Sequence, residues 1–159
     1  MPVLQYTNLE AELYGCDAAV TWVPAAGWEF GGALSYVRGR NLDLDDNLYR
    51  IAPLSTTFHG EYAVGRWQHR VEAYVAADQD HVASTNGEEK SDSYGLLHLR
   101  TAFDVGKGFA LTGGIENLFD NHYADHLSGV NRVTDSDVAV GDRLPGAGRF
   151  VYVGVEFAR

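Results

Sequence analysis

The chain lacks several features that stabilise or direct many proteins of its length. Its 159 residues include one cysteine, Cys16, so no disulfide can form within the chain. No run of 18 apolar residues is present, which excludes a transmembrane helix. The first residues show no basic region followed by an apolar stretch, so we do not expect them to be a signal peptide. Proline is also sparse, at 4 residues, while glycine reaches 18, a balance typical of β-rich structure.

Basic residues are also scarce, and this scarcity disfavours some classes of function. There are 12 basic against 22 acidic residues, for a net charge of −10, which argues against a nucleic-acid partner. No Gly-x-Ser-x-Gly elbow is present, and the Gly113-Gly114 pair does not precede a helical pattern, so it is not a phosphate loop. We therefore expect neither an enzyme nor a bound cofactor.

What the chain does contain is alternation of apolar with small or polar residues. Val20 and Trp22 share one parity, while Asp17 and Thr21 share the other, which is the period of a β-strand with two different environments. The same pattern recurs in seven segments of roughly ten residues. These segments are residues 12–22, 28–37, 54–64, 67–78, 96–105, 109–116 and 150–159.

The connections between these segments alternate between short and long, and aromatic pairs flank each short one. The pairs are Trp22 with Trp28, Tyr62 with Trp67, and Phe103 with Phe109. Long strands, alternating turn lengths and aromatic girdles together are typical of transmembrane β-barrels. The apolar parity carries almost no charge between the girdles, as a lipid-facing surface requires.

The opposite parity carries the charges, and four of them predict a ladder across neighbouring strands: Arg70, Glu72, Arg100 and Glu116. Periodicity alone leaves two alternatives open. In a soluble sandwich, or in a small soluble barrel that binds an apolar ligand, the apolar parity would point inward.

One stretch, residues 113–123, carries a recognisable motif. The segment Glu116-Asn117-Leu118-Phe119-Asp120 with Tyr123, followed by Pro145-Gly146-Ala147-Gly148-Arg149, resembles the C-terminal end of a TonB-dependent outer-membrane receptor. Residues 14–17 and 51–54 resemble two further strand starts of that family in the expected order. The motif residues Glu116, Asn117, Leu118, Phe119, Asp120, Tyr123, Pro145, Gly146, Gly148 and Arg149 are expected to be structural.

The resemblance implies a bacterial outer-membrane barrel of about 22 strands with a lumenal plug. Such receptors import siderophores, metals or similar ligands, with energy from TonB. The expectation for residues 1–159 is the C-terminal segment of such a barrel, lacking the plug and earlier strands and inactive alone. It would contact lipid on its apolar face, and it would reach TonB only through the missing N-terminal part. The predicted fold is an all-β antiparallel meander of about seven to eight long strands, an open curved sheet to which residues 2–8 could add a strand.

Two groups of loop residues are candidates for ligand contact. His122, Asp125 and His126 follow the motif in a segment that is also similar to copper-type receptors of the family, and Asp78, Asp80 and His81 follow the fourth predicted strand. For the first group a solvated loop is the favoured interpretation, and the second could line the vestibule or equally consist of ordinary loop residues. The acidic run at residues 43–47 has calcium-like spacing, but it lacks the glycine and distant glutamate of an EF-hand, which favours a solvated loop. The sequence leaves the metal and the transported ligand unknown.

Overall fold

A computed structural model describes residues 8–158, which form one antiparallel β-sheet. The strands are β1 (Ala11–Ala25), β2 (Trp28–Asn41), β3 (Asp46–Asn47), β4 (Ser55–Val64), β5 (Trp67–Ala76), β6 (Tyr94–Gly106), β7 (Phe109–Glu116) and β8 (Phe150–Phe157). A 3₁₀ turn spans Ser84–Asn86. Across this part of the chain, no helix is long and apolar enough to span a membrane.

The sheet is an open meander. The order is β1-β2-β4-β5-β6-β7-β8, every neighbouring pair is antiparallel, and the two-residue β3 pairs only with β2. β1 and β8 lie at opposite edges of the described sheet and do not pair with each other. Seven long antiparallel strands make β1 and β8 run in the same direction, so these two edges are not complementary for antiparallel closure. The predicted all-β, unclosed sheet is confirmed.

The register keeps the two predicted faces intact across the sheet. Phe58 lies opposite Ala73, Val71 opposite Leu99, and Leu99 opposite Ile115. Because side chains alternate with period two, this pairing places the apolar parities of all seven long strands on one side. We call this side the apolar face and the opposite side the charged face.

Burial is the reverse of that in a soluble β-protein. On the apolar face, Phe58 is 57% exposed and Val153 is 85% exposed. The hydrophobic residues buried within the described sheet and loops are only Ala76, Val82 and Ala83. A small soluble barrel would close around its apolar side chains, and the strands described here neither close nor turn those side chains inward.

Aromatic side chains gather where the short turns lie, which we call the short-turn end. Ring centroids are 4.4 Å apart for Trp28 and Tyr62, and 4.7 Å apart for Trp67 and Phe103. Each of these contacts joins members of two different predicted pairs, since Trp28 meets Tyr62 and Trp67 meets Phe103 across neighbouring strands. Together they form a belt along this end of the apolar face. The opposite edge, with the long connections, is the long-loop end.

Several predicted boundaries were wrong because backbone pairing extends beyond the clear alternation. The turn expected at 23–27 is shorter, since β1 continues to Ala25 after a register irregularity that follows Trp22. β2 runs to Asn41 rather than residue 37, pairing there with Ala11. Conversely, β5 stops at Ala76, short of the predicted residue 78, and β6 begins two residues early at Tyr94. The possible extra strand at 2–8 falls almost wholly at 1–7, outside the described residues.

Candidate functional site

The charged face carries a continuous ladder centred on Arg100. The Arg100 Nε and Nη2 atoms each lie 2.9 Å from an oxygen of Glu116 on β7, and Nη1 lies 3.0 Å from Glu72 Oε1 on β5. Arg70 Nη2 then lies 2.9 Å from Glu72 Oε2. The predicted ladder is present because one parity of β5, β6 and β7 brings these four side chains to one side of the sheet.

The ladder neutralises its own charges. The Glu116 and Glu72 side chains are 14% and 20% exposed, and each has an arginine donor. His98 adds a further contact to Glu116. Each of these carboxylates already has an arginine as its hydrogen-bond donor and counter-charge, so neither needs a ligand. The arrangement is therefore structural rather than a reactive centre.

The two motif segments meet at the long-loop end, in what we call the motif junction, the contact of residues 116–123 with 145–149. Asn117 is 3% exposed, and its Nδ2 donates to the carbonyls of Asn121 and Ala147 at 2.9 and 3.2 Å. The Arg149 N–H donates to Asp120 Oδ1 at 2.7 Å. Both Asn117 and Asp120 have positive φ, at 50° and 56°, so the chain turns sharply after β7.

Aromatic packing completes the motif junction. Tyr123 stacks on Tyr94 with centroids 4.5 Å apart, and a Cβ at Gly146 would collide with the Tyr123 ring. The Gly146 N–H donates to the Tyr123 carbonyl at 2.8 Å. The remaining motif residues are peripheral: Leu118 donates its N–H to the Leu97 carbonyl, while Phe119, Pro145 and Gly148 are exposed. These contacts support the expectation that the motif is structural.

The candidate group at residues 78–81 is divided between different partners. Asp78 is exposed, and Asp80 pairs with Lys90 at 3.0 Å. The hydrogen bond and charge of Lys90 hold the pKa of the Asp80 carboxyl below its usual value. His81 Nε2 lies 2.7 Å from Arg38 Nη1 and is therefore hydrogen-bonded to that guanidinium. It does not form a common site with Asp78 and Asp80.

The second candidate group, at residues 122–126, turns partly inward. His122 is exposed, whereas Asp125 Oδ2 accepts a hydrogen bond from the Tyr94 hydroxyl at 2.8 Å. The His126 side chain is 1% exposed, with Nδ1 2.9 Å from Ser91 Oγ and Nε2 3.3 Å from Glu88 Oε1. Burial, followed by the charge of Arg143, lowers the pKa of His126, although Glu88 opposes this shift.

The two groups approach each other without forming a metal site. Gln79 pairs with Ser91 through two backbone hydrogen bonds of 2.9 and 3.3 Å, and Ser91 contacts His126. Among residues 8–158, no three His, Cys, Asp or Glu side chains are placed to hold a metal ion. The acidic run is also structural: Asp46 accepts from the N–H and hydroxyl of Thr85, both at 2.8 Å, and these bonds lower its pKa to about 2.

Sequence reasoning missed a cavity of about 300 Å³ between three loops at the long-loop end. Its lining includes Arg50, Glu88, Ser128, Arg132 and Arg143, together with His126. These arginines come from positions far apart in the chain, and no local pattern links them. Only the packing of the loops reveals that they share a site.

An open antiparallel sheet with an exposed apolar face, an aromatic belt and a self-neutralised charged face defines part of an outer-membrane β-barrel. The family model for the TonB dependent receptor-like β-barrel matches residues 2–118. The chain therefore belongs to the TonB-dependent receptor family, whose members are transport receptors of the bacterial outer membrane rather than enzymes. In such barrels the longer loops are extracellular, so the long-loop end faces outward.

Solved structures of receptors share this fold. The copper transporter OprC is 27% identical and superposes with a TM-score of 0.88, covering 95% of this chain and 24% of that protein. The ferric yersiniabactin uptake receptor FyuA from Yersinia pestis gives 15% identity and a TM-score of 0.70, with 92% and 23% coverage. The ferric enterobactin receptor PfeA from Pseudomonas aeruginosa gives 19% and 0.69, with 91% and 22% coverage. The chain thus spans about a quarter of the length of these receptors.

Proposed function

We propose that residues 1–159 form the C-terminal segment of a receptor barrel that imports a metal ion or a metal–siderophore complex. The main support is the superposition on a copper transporter over 95% of this chain but only 24% of that protein. A segment of this size supplies about a third of the strands of a barrel of about 22. It would act with a plug and with earlier strands, and would be coupled to TonB through them.

The two faces of the sheet suit different neighbours in this arrangement. The apolar face would contact outer-membrane lipid, since its side chains are apolar and exposed. The charged face would line the lumen opposite the plug, where the ladder around Arg100 offers a polar but internally paired wall. This division assigns the ladder a structural part in the barrel rather than ligand contact.

Ligand contact would fall to the extracellular loops. His122 and Asp78 are exposed at the long-loop end and remain candidates for contact with a metal or its chelator. Asp80, His81, Asp125 and His126 are also candidates, but each would first have to leave the partner described above. The likeness to the copper transporter OprC makes copper the first candidate ligand, and the likeness to the ferric yersiniabactin receptor makes ferric siderophores the second.

Uptake by cells tests this function. Removing the codons for residues 1–159 from the gene should reduce accumulation of radiolabelled copper or ferric siderophore under metal limitation. The matched control is the same deletion in cells lacking TonB, where it should cause no further loss. If accumulation of both kinds of ligand is unchanged in cells with TonB, the proposal is wrong.

A second experiment tests whether the chain is inactive by itself. The chain alone, inserted into lipid vesicles, should carry neither copper nor ferric siderophore across the membrane. Empty vesicles provide the baseline for passive leakage. Saturable, ligand-selective flux through the isolated chain would contradict the assignment as a partial barrel.

A further inference from the structure

The cavity at the long-loop end is assembled by three loops that the chain itself holds together. Arg50 lies after β3, Glu88 lies between β5 and β6, and residues 126–143 follow β7. The guanidinium of Arg143 donates to the carbonyls of His126 and Glu89, and that of Arg50 donates to the Leu127 carbonyl. The walls therefore stand in place without a ligand.

A short backbone ladder stiffens the last of these loops. The Leu144 N–H donates to the Gly129 carbonyl at 2.8 Å, and the Asn131 N–H donates to the Asp142 carbonyl at 2.8 Å. Val130 and Arg143 form an antiparallel bridge between these two bonds. Residues 129–144 thus fold back on themselves and present Arg132 and Arg143 on one small structure.

Positive charge in the cavity is not paired with carboxylates. None of the ion pairs formed within residues 8–158 includes Arg50, Arg132 or Arg143. The guanidinium of Arg132 has no hydrogen-bond partner in that part of the chain. Glu88 is occupied elsewhere, since its oxygens accept from the N–H groups of Arg50 and Ala83 at 2.9 and 2.8 Å. Glu89 is the other acidic residue in the lining, leaving three arginines against two glutamates.

One further polar atom at the cavity has unmet hydrogen-bonding capacity. Ser128 Oγ is buried and has no hydrogen-bond partner among the described residues. His126 Nε2 is buried as well, but it lies 3.3 Å from Glu88 Oε1. When the Ser91 hydroxyl donates to His126 Nδ1, the neutral imidazole carries its proton on Nε2 and becomes a donor. Buried polar groups in proteins are nearly always satisfied, so the unused Ser128 hydroxyl beside unpaired guanidinium groups indicates an acceptor as the occupant.

We propose that this cavity binds a small oxyanion, a carboxylate or a phosphate, through Arg132 and Arg143 with Ser128 as an additional donor. The planar guanidinium fork matches both kinds of oxyanion. A volume of about 300 Å³ suits a small molecule or one anionic group of a larger one. The site is separate from the charged face and from His122 and Asp78, and it does not depend on the transported ligand being a metal.

Calorimetric titration of the full chain in detergent micelles tests the site, with succinate and inorganic phosphate as probes and chloride as the ionic-strength control. We expect one saturable site for at least one oxyanion. Tighter binding of succinate would identify a carboxylate site, and tighter binding of phosphate a phosphate site. Arg132→Gln should weaken binding by about tenfold, the loss of one charge-assisted hydrogen bond.

The matched control is Arg66→Gln, which removes the same charge from the exposed turn at the opposite end of the sheet. It should leave binding unchanged. Binding of neither oxyanion, or equal weakening by the two substitutions, would overturn the proposal.

Hydrogen exchange in outer membranes that contain the chain gives a second readout, which does not require purification. Succinate or phosphate should slow amide exchange within residues 126–143 and leave the turn at Arg66 unaffected. Unchanged exchange across 126–143 with both anions would overturn the proposal. Failure of the uptake experiment would leave this result intact, because binding is measured without transport.

Discussion

Asn117 and Asn121 bind each other twice at the end of β7. The Asn121 N–H donates to Asn117 Oδ1 at 2.9 Å, and Asn117 Nδ2 donates back to the Asn121 carbonyl at 2.9 Å. One buried side chain therefore closes a turn and, through Ala147, fastens the distant segment that leads into β8. The Asn117 amide thus makes three of the hydrogen bonds at the motif junction.

Replacing Asn117 should open that junction. Asn117→Ala leaves two carbonyls without a donor and places alanine at positive φ, so the free energy of unfolding should fall by about 2–3 kcal/mol. Urea unfolding of the chain in detergent measures the change. Asn86→Ala, at an exposed position in the 3₁₀ turn, is the control and should have little effect. Equal stability of the two variants would contradict the role assigned to Asn117.

The ladder should depend on its central arginine. Arg100→Met removes the arginine that Glu72 and Glu116 share, so it should destabilise the sheet by about 2 kcal/mol. Arg40→Met breaks the exposed pair with Asp45 and should cost less than about 0.5 kcal/mol. Parallel unfolding curves in lipid vesicles compare the two. If Arg40→Met lowers the free energy of unfolding as much as Arg100→Met does, the ladder stabilises the sheet no more than an exposed ion pair.

The apolar face should reject charge where the charged face tolerates it. Phe58→Arg places a guanidinium in the lipid-facing surface and should cost about 2–4 kcal/mol near the bilayer midplane. Thr57→Arg, the adjacent residue of β4 on the other side of the sheet, should cost much less. The fraction of each variant that inserts into vesicles is the measurement. If the Thr57 variant inserts less well than the Phe58 variant, the faces are assigned the wrong way round.

Acid should loosen the extracellular loops through His126. Burial and Arg143 lower its pKa in the closed loops, while Glu88 and Asp125 act in the opposite direction, and in opened loops it returns toward 6.5. The closed form therefore binds fewer protons, so its stability is full above pH 6.5 and declines as pH falls below that value. Amide protection factors within residues 126–143, which are corrected for the slower intrinsic exchange in acid, should fall on acidification.

Two variants isolate the residue responsible. His126→Asn should remove most of that pH dependence, because asparagine does not titrate. His122→Asn, at an exposed neighbour, should leave it intact. Protection factors that fall equally with acid in both variants would assign the effect to other groups.

The sheet could be predicted from sequence because strands obey a simple period. Alternation alone placed Arg70, Glu72, Arg100 and Glu116 on one side, and the register brings them into contact. What alternation could not give was the exact strand ends, since β1 and β2 keep pairing to Ala11 and Asn41 after the pattern fades.

The loops followed no such rule. His126 and Glu88 are 38 residues apart, and their approach depends on the packing of two loops through Ser91 and Arg143. The sequence named His126 as a possible ligand contact, yet it could not show that the side chain is buried. These loops are held by hydrogen bonds between side chains and the backbone, and such bonds produce no periodic pattern in the sequence.

The position of Arg100 also governs how β6 can align with its neighbours. A slip of one residue would turn every β6 side chain to the other surface, sending Arg100 into hydrocarbon at a cost of about 2–4 kcal/mol. The same slip would separate Arg100 from Glu72 and Glu116, and only Glu72 would keep an arginine partner, Arg70. A misaligned pairing therefore costs free energy on both surfaces of the sheet. Arg100 thus favours the native register of β6 while the sheet assembles.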